Sequence, residues 1–242
     1  MINDRFYDRI KRKTIVTGHY GSGKTEFSVS LALLLAKQND TITAKNSFNA
    51  LSLIDLDIVN PYFRSRERRE LLENAGISVY GSVYDMEVAA EMPALGASLR
   101  APLESKSTKV IIDTGGNDTG ALILNQFTKY FTDDETTVLT VVNTNRPDTG
   151  CVESILEHIT AIESITNLSI GGIVNNSHLL RETTTADIIK GHELCEDICR
   201  QTGKHLLCNC YPEGIVNPDE LTGAIENLMP LGLYMRPAWL DL

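Results

Sequence analysis

Residues 18–25 read Gly18-His19-Tyr20-Gly21-Ser22-Gly23-Lys24-Thr25. Glycines at this spacing let successive backbone N–H groups turn toward one point, and a helix opening at Gly23 would add its positive end. A concave, electropositive loop of this kind suits phosphate oxygens. The pattern G-x4-G-K-[ST] puts Lys24 within reach of β- and γ-phosphates and the Thr25 hydroxyl where it can meet Mg²⁺. The loop follows a β-branched run, Thr14-Ile15-Val16, and precedes a helical period at 23–37. That strand–loop–helix setting separates the motif from a chance match. Glu26, next in line, is grouped with the loop as a nucleotide neighbour. His19 has two readings, a phosphate neighbour or a plain loop residue.

Two acidic segments complete a site of this chemistry. Val110-Ile111-Ile112 runs into Asp113-Thr114-Gly115-Gly116, so a carboxylate closes an apolar strand and two glycines follow it. Such a carboxylate can hold the hydration shell of Mg²⁺, and the glycines allow a loop that re-forms around a γ-phosphate. Leu53-Ile54-Asp55-Leu56-Asp57 ends another strand in paired acids suited to metal and water. Beyond it, Asn60 and Pro61 mark a helix start and Gly76 its end, with Tyr62, Phe63, Arg64 and Arg66 on its first turns. Arg64, Arg66, Arg68 and Arg69, with Glu67 and Glu70, read first as a solvated, ion-paired face. Arg64 and Arg66 could also sense a γ-phosphate.

The elements that must position these groups are short apolar runs alternating with helical periods. Further runs lie at 51–54, 138–142, 170–174 and 206–208, and helix candidates at 23–37, 61–75, 119–131, 149–164 and 182–202. Nearly continuous apolar runs suit strands buried on both faces of a parallel sheet. The class is therefore α/β, a mostly parallel sheet with helices on both faces, in one nucleotide-binding domain over 1–242. Met86 to Ala97 looks helical, and the apolar 228–234 stretch with Trp239 is expected to pack on the sheet rather than on a membrane. The 242 residues carry 22 Lys and Arg against 32 Asp and Glu, a formal charge of −10, which opposes general nucleic-acid binding. No apolar run spans a bilayer and no signal peptide is visible, so the expectation is a cytoplasmic protein without integral membrane contact.

In this order the segments resemble the MinD/ParA/CooC branch of the SIMIBI P-loop NTPases, the group that shares the CobQ/CobB/MinD/ParA nucleotide-binding domain. The likeness runs from Thr14 to about Pro218: phosphate loop, D-x-D at Asp55-Leu56-Asp57, D-x-x-G from Asp113, a strand ending Asn175-Asn176, and the Pro212-Glu213 loop. The resemblance implies a three-layer P-loop fold, Mg²⁺ and ATP as cofactors, and slow ATP hydrolysis. It implies Asn175, Pro212 and Glu213 at the adenine, Thr25, Asp55 and Asp113 at the metal, and Lys24 and Asp57 in catalysis, Asp57 handling water. It also implies a client protein, such as a metalloenzyme under assembly, or a small carboxylate activated by a ligase or kinase relative. The acceptor pocket of the latter would be lined from 60–66 and 83–100. One departure stands out. His19 occupies the place of the family's signature lysine, which reaches the partner's nucleotide in dimers. A homodimer is among the implied partners, but not one bridged by that lysine.

Two patterns invite other readings. Asn145-Arg146-Pro147-Asp148 looks like the guanine-reading N-K-x-D. It follows the first strand after Asp113 rather than the second, and arginine does not replace that lysine simply. It is read as a turn and helix start, and ATP is expected over GTP with Asn175 as base reader. Cys195 with Cys199, and Cys208 with Cys210, form two same-face pairs that would make a four-sulfur metal site if they converged. Otherwise they are small buried hydrophobes.

Overall fold

The computed structural model describes residues 2–39, 48–57, 68–81, 99–116, 118–131 and 134–235. Helix α1 (Asp4–Arg9) leads into β1 (Lys13–Thr17), and the phosphate-loop motif then opens α2 (Lys24–Asn39). Next come β2 (Ala50–Asp55), α3 (Arg69–Asn74), β3 (Ile77–Gly81), a helical stretch at 99–104 and β4 (Thr108–Asp113). Helix α4 (Asp118–Leu124) runs on as a 3-10 turn, followed by β5 (Thr136–Val142), α5 (Val152–Thr166) and β6 (Gly172–Asn175). The chain continues through α6 (Thr185–Thr202), β7 (His205–Pro212) and β8 (Leu228–Leu231).

The eight strands form one sheet in the order β3-β2-β4-β1-β5-β6-β7-β8, and every pairing is parallel. Successive strand residues face opposite sides, so the apolar runs split into two cores. Val16, Leu53, Ile111, Leu139 and Val174 pack on one side against Phe6 and Ile10 of α1 and Phe27, Leu31 and Leu35 of α2. Ile15, Ile54, Ile112, Val138 and Ile173 pack on the other against α4, α5, α6 and Leu99 and Leu103. The result is the expected helix–sheet–helix arrangement. Two strands go beyond the sequence reading. β3 is a half-exposed edge, and β8 contains Pro230, which an edge strand tolerates because its missing N–H faces away from the ladder.

Several boundaries move. Within the described residues the helix expected at 61–75 covers Arg69–Asn74, and Gly76 just beyond it adopts φ +77°. Arg69 donates to Glu73 Oε1 at 3.0 Å and to Val79 O at 2.9 Å, in line with a solvated, locally paired face. Helix α6 begins on a capping box, Thr184 with Asp187. Asn60, Pro61, Tyr62, Phe63, Arg64, Arg66, Glu67, the helical reading of 86–97 and Trp239 lie outside the described residues.

Candidate nucleotide site

The parallel register brings the acidic strand ends to the phosphate loop. Asp113 lies opposite Val16 on one side and opposite Asp55 on the other, all at the carboxyl edge of the sheet. In open α/β sheets this edge is where ligands bind. Gly18, Gly21 and Gly23 have φ of +142°, +74° and +84°, so the loop follows a path closed to most side chains. A Cβ on Gly18 would strike the Val141 carbonyl, and one on Gly23 the Asn176 amide. Both glycines therefore serve packing as well as curvature.

Lys24, Thr25, Asp55, Asp57 and Asp113 are all buried beneath this loop. Lys24 Nζ donates to the His19 carbonyl at 3.2 Å. Burial lowers its ammonium pKa, while Asp113 and Asp57 pull it back up. Asp113 accepts from Ser28 Oγ at 3.3 Å, and its other oxygen has no hydrogen-bond partner among the described residues. Burial, and then the charge of Asp55, push its carboxyl up to about 8. Three acids thus surround one lysine, a donor set short of positive charge. Mg²⁺ takes oxygen ligands, keeps several waters and needs only one or two carboxylates beside phosphate oxygens. Thr25, Asp113 and Asp55 fit that demand.

The segment after β4 presses on the loop. A Cβ on Gly116 would sit 2.5 Å from Lys24 Nζ, 2.8 Å from Tyr20 N and 2.9 Å from Gly18 O. Tyr20 itself is 64% exposed at the loop tip. Ser22 is fully buried, and its carbonyl accepts from Asn176 Nδ2 at 2.8 Å.

Two sequence assignments change. Asn175, expected to read the base, spends its amide inside the fold. Its Nδ2 donates to Ile188 O and Asn209 Oδ1, both at 2.9 Å, and its Oδ1 accepts from Ser177 N at 3.1 Å. It ties β6 to α6 and β7. Glu26, grouped with the phosphate loop, instead accepts from Tyr234 N at 2.6 Å and Met235 N at 2.9 Å, anchoring the chain after β8 onto α2. Pro212 ends β7, and Glu213 beside it is exposed.

Three neighbours of the loop are not evident as such from the sequence. Besides Asn176, His178 lies against the start of α2, its Nε2 3.2 Å from where a Gly23 Cβ would be. Its Nδ1 accepts from Leu180 N at 3.2 Å, so its proton sits on Nε2. Burial, and then Arg146, push its pKa down to about 4. Arg146, on the turn after β5, donates from Nε to the Gly21 carbonyl at 3.1 Å. The N-R-x-D pattern flags this residue but for another purpose. Nothing in the sequence places a loop after β5 over the phosphate loop except the strand order itself. His19 faces away from Lys24, with Nδ1 3.9 Å from Asp148 Oδ2 and its ring 5.4 Å from that of His158.

The cysteine pairs do not converge. Cys195 and Cys199 belong to the apolar cluster on one face of the sheet and Cys208 and Cys210 to that on the other. Burial pushes Cys195, Cys199 and Cys210 up as thiols. Among the described residues no group of three or more His, Cys, Asp or Glu could hold a metal by itself.

A scan of protein-family models and a search of curated proteins both find no match to this chain. Solved structures do match. FtsY from Mycoplasma mycoides superposes with a TM-score of 0.52 at 15% identity, over 84% of this chain and 62% of that one. Chloroplast FtsY from Physcomitrella patens gives 0.51 at 14% identity, over 80% and 56%. The signal recognition particle receptor FtsY from Elizabethkingia anophelis, in complex with GDP, gives 0.50 at 15% identity, over 80% and 55%. The fold is that of a P-loop NTPase. The chain spans less than two thirds of the length of each of these structures. Among the described residues no helix is long and apolar enough to cross a membrane.

Proposed function

We propose that the chain is a Mg-ATP-dependent switch, a slow ATPase whose nucleotide state is read by a client protein. The observation that carries this reading is the close approach of the segment after β4 to the loop, so close that a Cβ on Gly116 would strike Lys24 Nζ, Tyr20 N and Gly18 O. A terminal phosphate entering the loop needs Lys24 Nζ, which now donates to His19 O, and room beside Gly116. Binding therefore shifts the stretch at Gly115 and Gly116, and loss of the γ-phosphate lets it return. Glycines at 115 and 116, and the close approach of Gly120 to Gly115, give this stretch the backbone freedom of a hinge.

The chemistry comes from the same groups. Backbone N–H groups of the loop and Lys24 bind and orient the β- and γ-phosphates. Thr25, Asp113 and Asp55 would hold Mg²⁺, which would neutralise charge on the phosphate oxygens. Asp57, buried beside Lys24 and Asp55, orients the attacking water and takes its proton. Burial of all these groups strengthens each electrostatic contact by excluding solvent.

The residues just after β6 favour adenine. Asn176, Ser177 and His178 offer no carboxylate to accept from the N1–H and amino group of guanine. His178 presents an N–H instead, held neutral by burial and Arg146, which suits a ring nitrogen of adenine. This transfers base reading from Asn175 to His178. The resemblance points to metalloenzyme assembly as the setting of the client. Amide exchange over 114–120 tests the switch. Protection should differ between ATP with Mg²⁺ and ADP with Mg²⁺, and identical protection in the two states would refute it.

A further inference from the structure

The turn after β5 puts a cation over the phosphate loop that no carboxylate among the described residues neutralises. Arg146 Nε donates to the Gly21 carbonyl, and its Cζ lies 3.6 Å from where a Gly21 Cβ would be. The side chain is exposed, and among the described residues no carboxylate pairs with it. Asp148, two residues on, leans toward His19 instead. The loop opens onto the N-terminus of a 16-residue helix, and Lys24 lies beneath. Burial, and then the guanidinium, lower the pKa of His178 beside the loop. Lys24 has Asp113 and Asp57 beside it, so the cation at the loop without a carboxylate partner among the described residues is Arg146.

We propose that Arg146 is a phosphate-binding residue supplied by this chain itself, contacting the terminal phosphates of the bound nucleotide. The inference rests on the nucleotide reading above. With Nε fixed on Gly21 O, the plane of the guanidinium is set and both terminal amines remain for phosphate oxygens. The hydrogen bond also ties the turn after β5 to the loop, so a phosphate that moves the loop moves this turn. Gly21 suits the arrangement because a side chain there would meet Arg146 Nε at 3.3 Å.

The test compares the binding of ATP, ADP and AMP, each with Mg²⁺, by wild-type protein, Arg146→Gln, Arg146→Lys and Arg146→Ala. Gln keeps an amide donor for Gly21 O and removes the charge, so it separates loop support from phosphate contact. Loss of charge-assisted hydrogen bonds should weaken ATP and ADP about ten- to a hundredfold in the Gln and Ala variants. Lys should recover part of that loss and AMP should change little. Unchanged ATP affinity in Arg146→Gln would overturn the inference. So would an equal loss for ATP, ADP and AMP, which is the signature of a base-stacking platform. Wild-type protein that binds none of the three would overturn the nucleotide reading itself, and this inference with it.

Discussion

Replacing Asp113 by Asn should stabilise the nucleotide-free protein while disabling it. The side chain is fully buried, one oxygen lacks a hydrogen-bond partner among the described residues, and Asp55 faces it from the next strand. Burial and Asp55 hold the carboxyl protonated up to about 8, against 3.8 for the ordinary group. The folded protein therefore keeps a proton that the unfolded chain releases, so stability falls as pH rises between those values. Each pH unit in that window is worth up to about 1.4 kcal/mol, and neutral pH lies about three units into it. Lys24 offsets part of this cost, because its charge favours the carboxylate. An amide keeps the acceptor for Ser28 Oγ and carries no charge, so a gain of about 1–3 kcal/mol is expected at neutral pH. For a chain of this size that raises Tm by about 2–10 °C. Thermal melts without nucleotide, at neutral pH and near pH 4, measure it. The advantage should shrink to about 0.5 kcal/mol or less near pH 4, where the unfolded chain also holds part of the proton. Mg-ATP should then raise the Tm of the parent but not of the variant. A variant that melts below its parent, or an advantage that ignores pH, would refute the reasoning.

Three other substitutions probe separate parts. Gly191→Ala puts a methyl against Ser177 Oγ and Asn175 Oδ1, and should cost about 1–3 kcal/mol in urea unfolding, whereas a neutral outcome would mean that the Asn175 network tolerates displacement. Asp57→Ala should bind Mg-ATP within a fewfold of the parent yet lose about a hundredfold or more in phosphate release, and hydrolysis at the parental rate would remove Asp57 from the water step. His178, neutral in the fold down to about 4 but ordinarily titrating at 6.5, makes stability fall as pH drops through that interval, because the unfolded chain binds the proton first. His178→Gln should flatten this limb, and an unchanged acid profile would place the titration elsewhere.

The phosphate loop, Asp55 and Asp113 were legible because their signal is local. A glycine spacing and apolar runs ending in acids dictate both backbone path and position at a strand end. The two-faced sheet was legible for the same reason, since Val110-Ile111-Ile112 cannot be half solvated. β8 was not, because Pro230 argues against a strand and only its place at the sheet edge overrides that rule. The contacts of Asn175 were not legible because its neighbours in space, Ile188 and Asn209, come from α6 and β7, and no spacing in the chain reveals that they meet. The contacts of Glu26 were hidden likewise, its backbone partners lying some two hundred residues away in sequence. Arg146 reaches Gly21 only because β5 lies beside β1, a fact of topology.

The central claim is that residues 18–25 bind a nucleotide through its phosphates. Calorimetric titration of Mg-ATP and Mg-GTP into the parent and into Lys24→Ala tests it most directly. The account predicts saturable binding at one site in the parent, tighter for ATP than for GTP, and a loss of about ten- to a hundredfold or more in Lys24→Ala. Absence of binding in the folded parent, or equal affinity in Lys24→Ala, would contradict it.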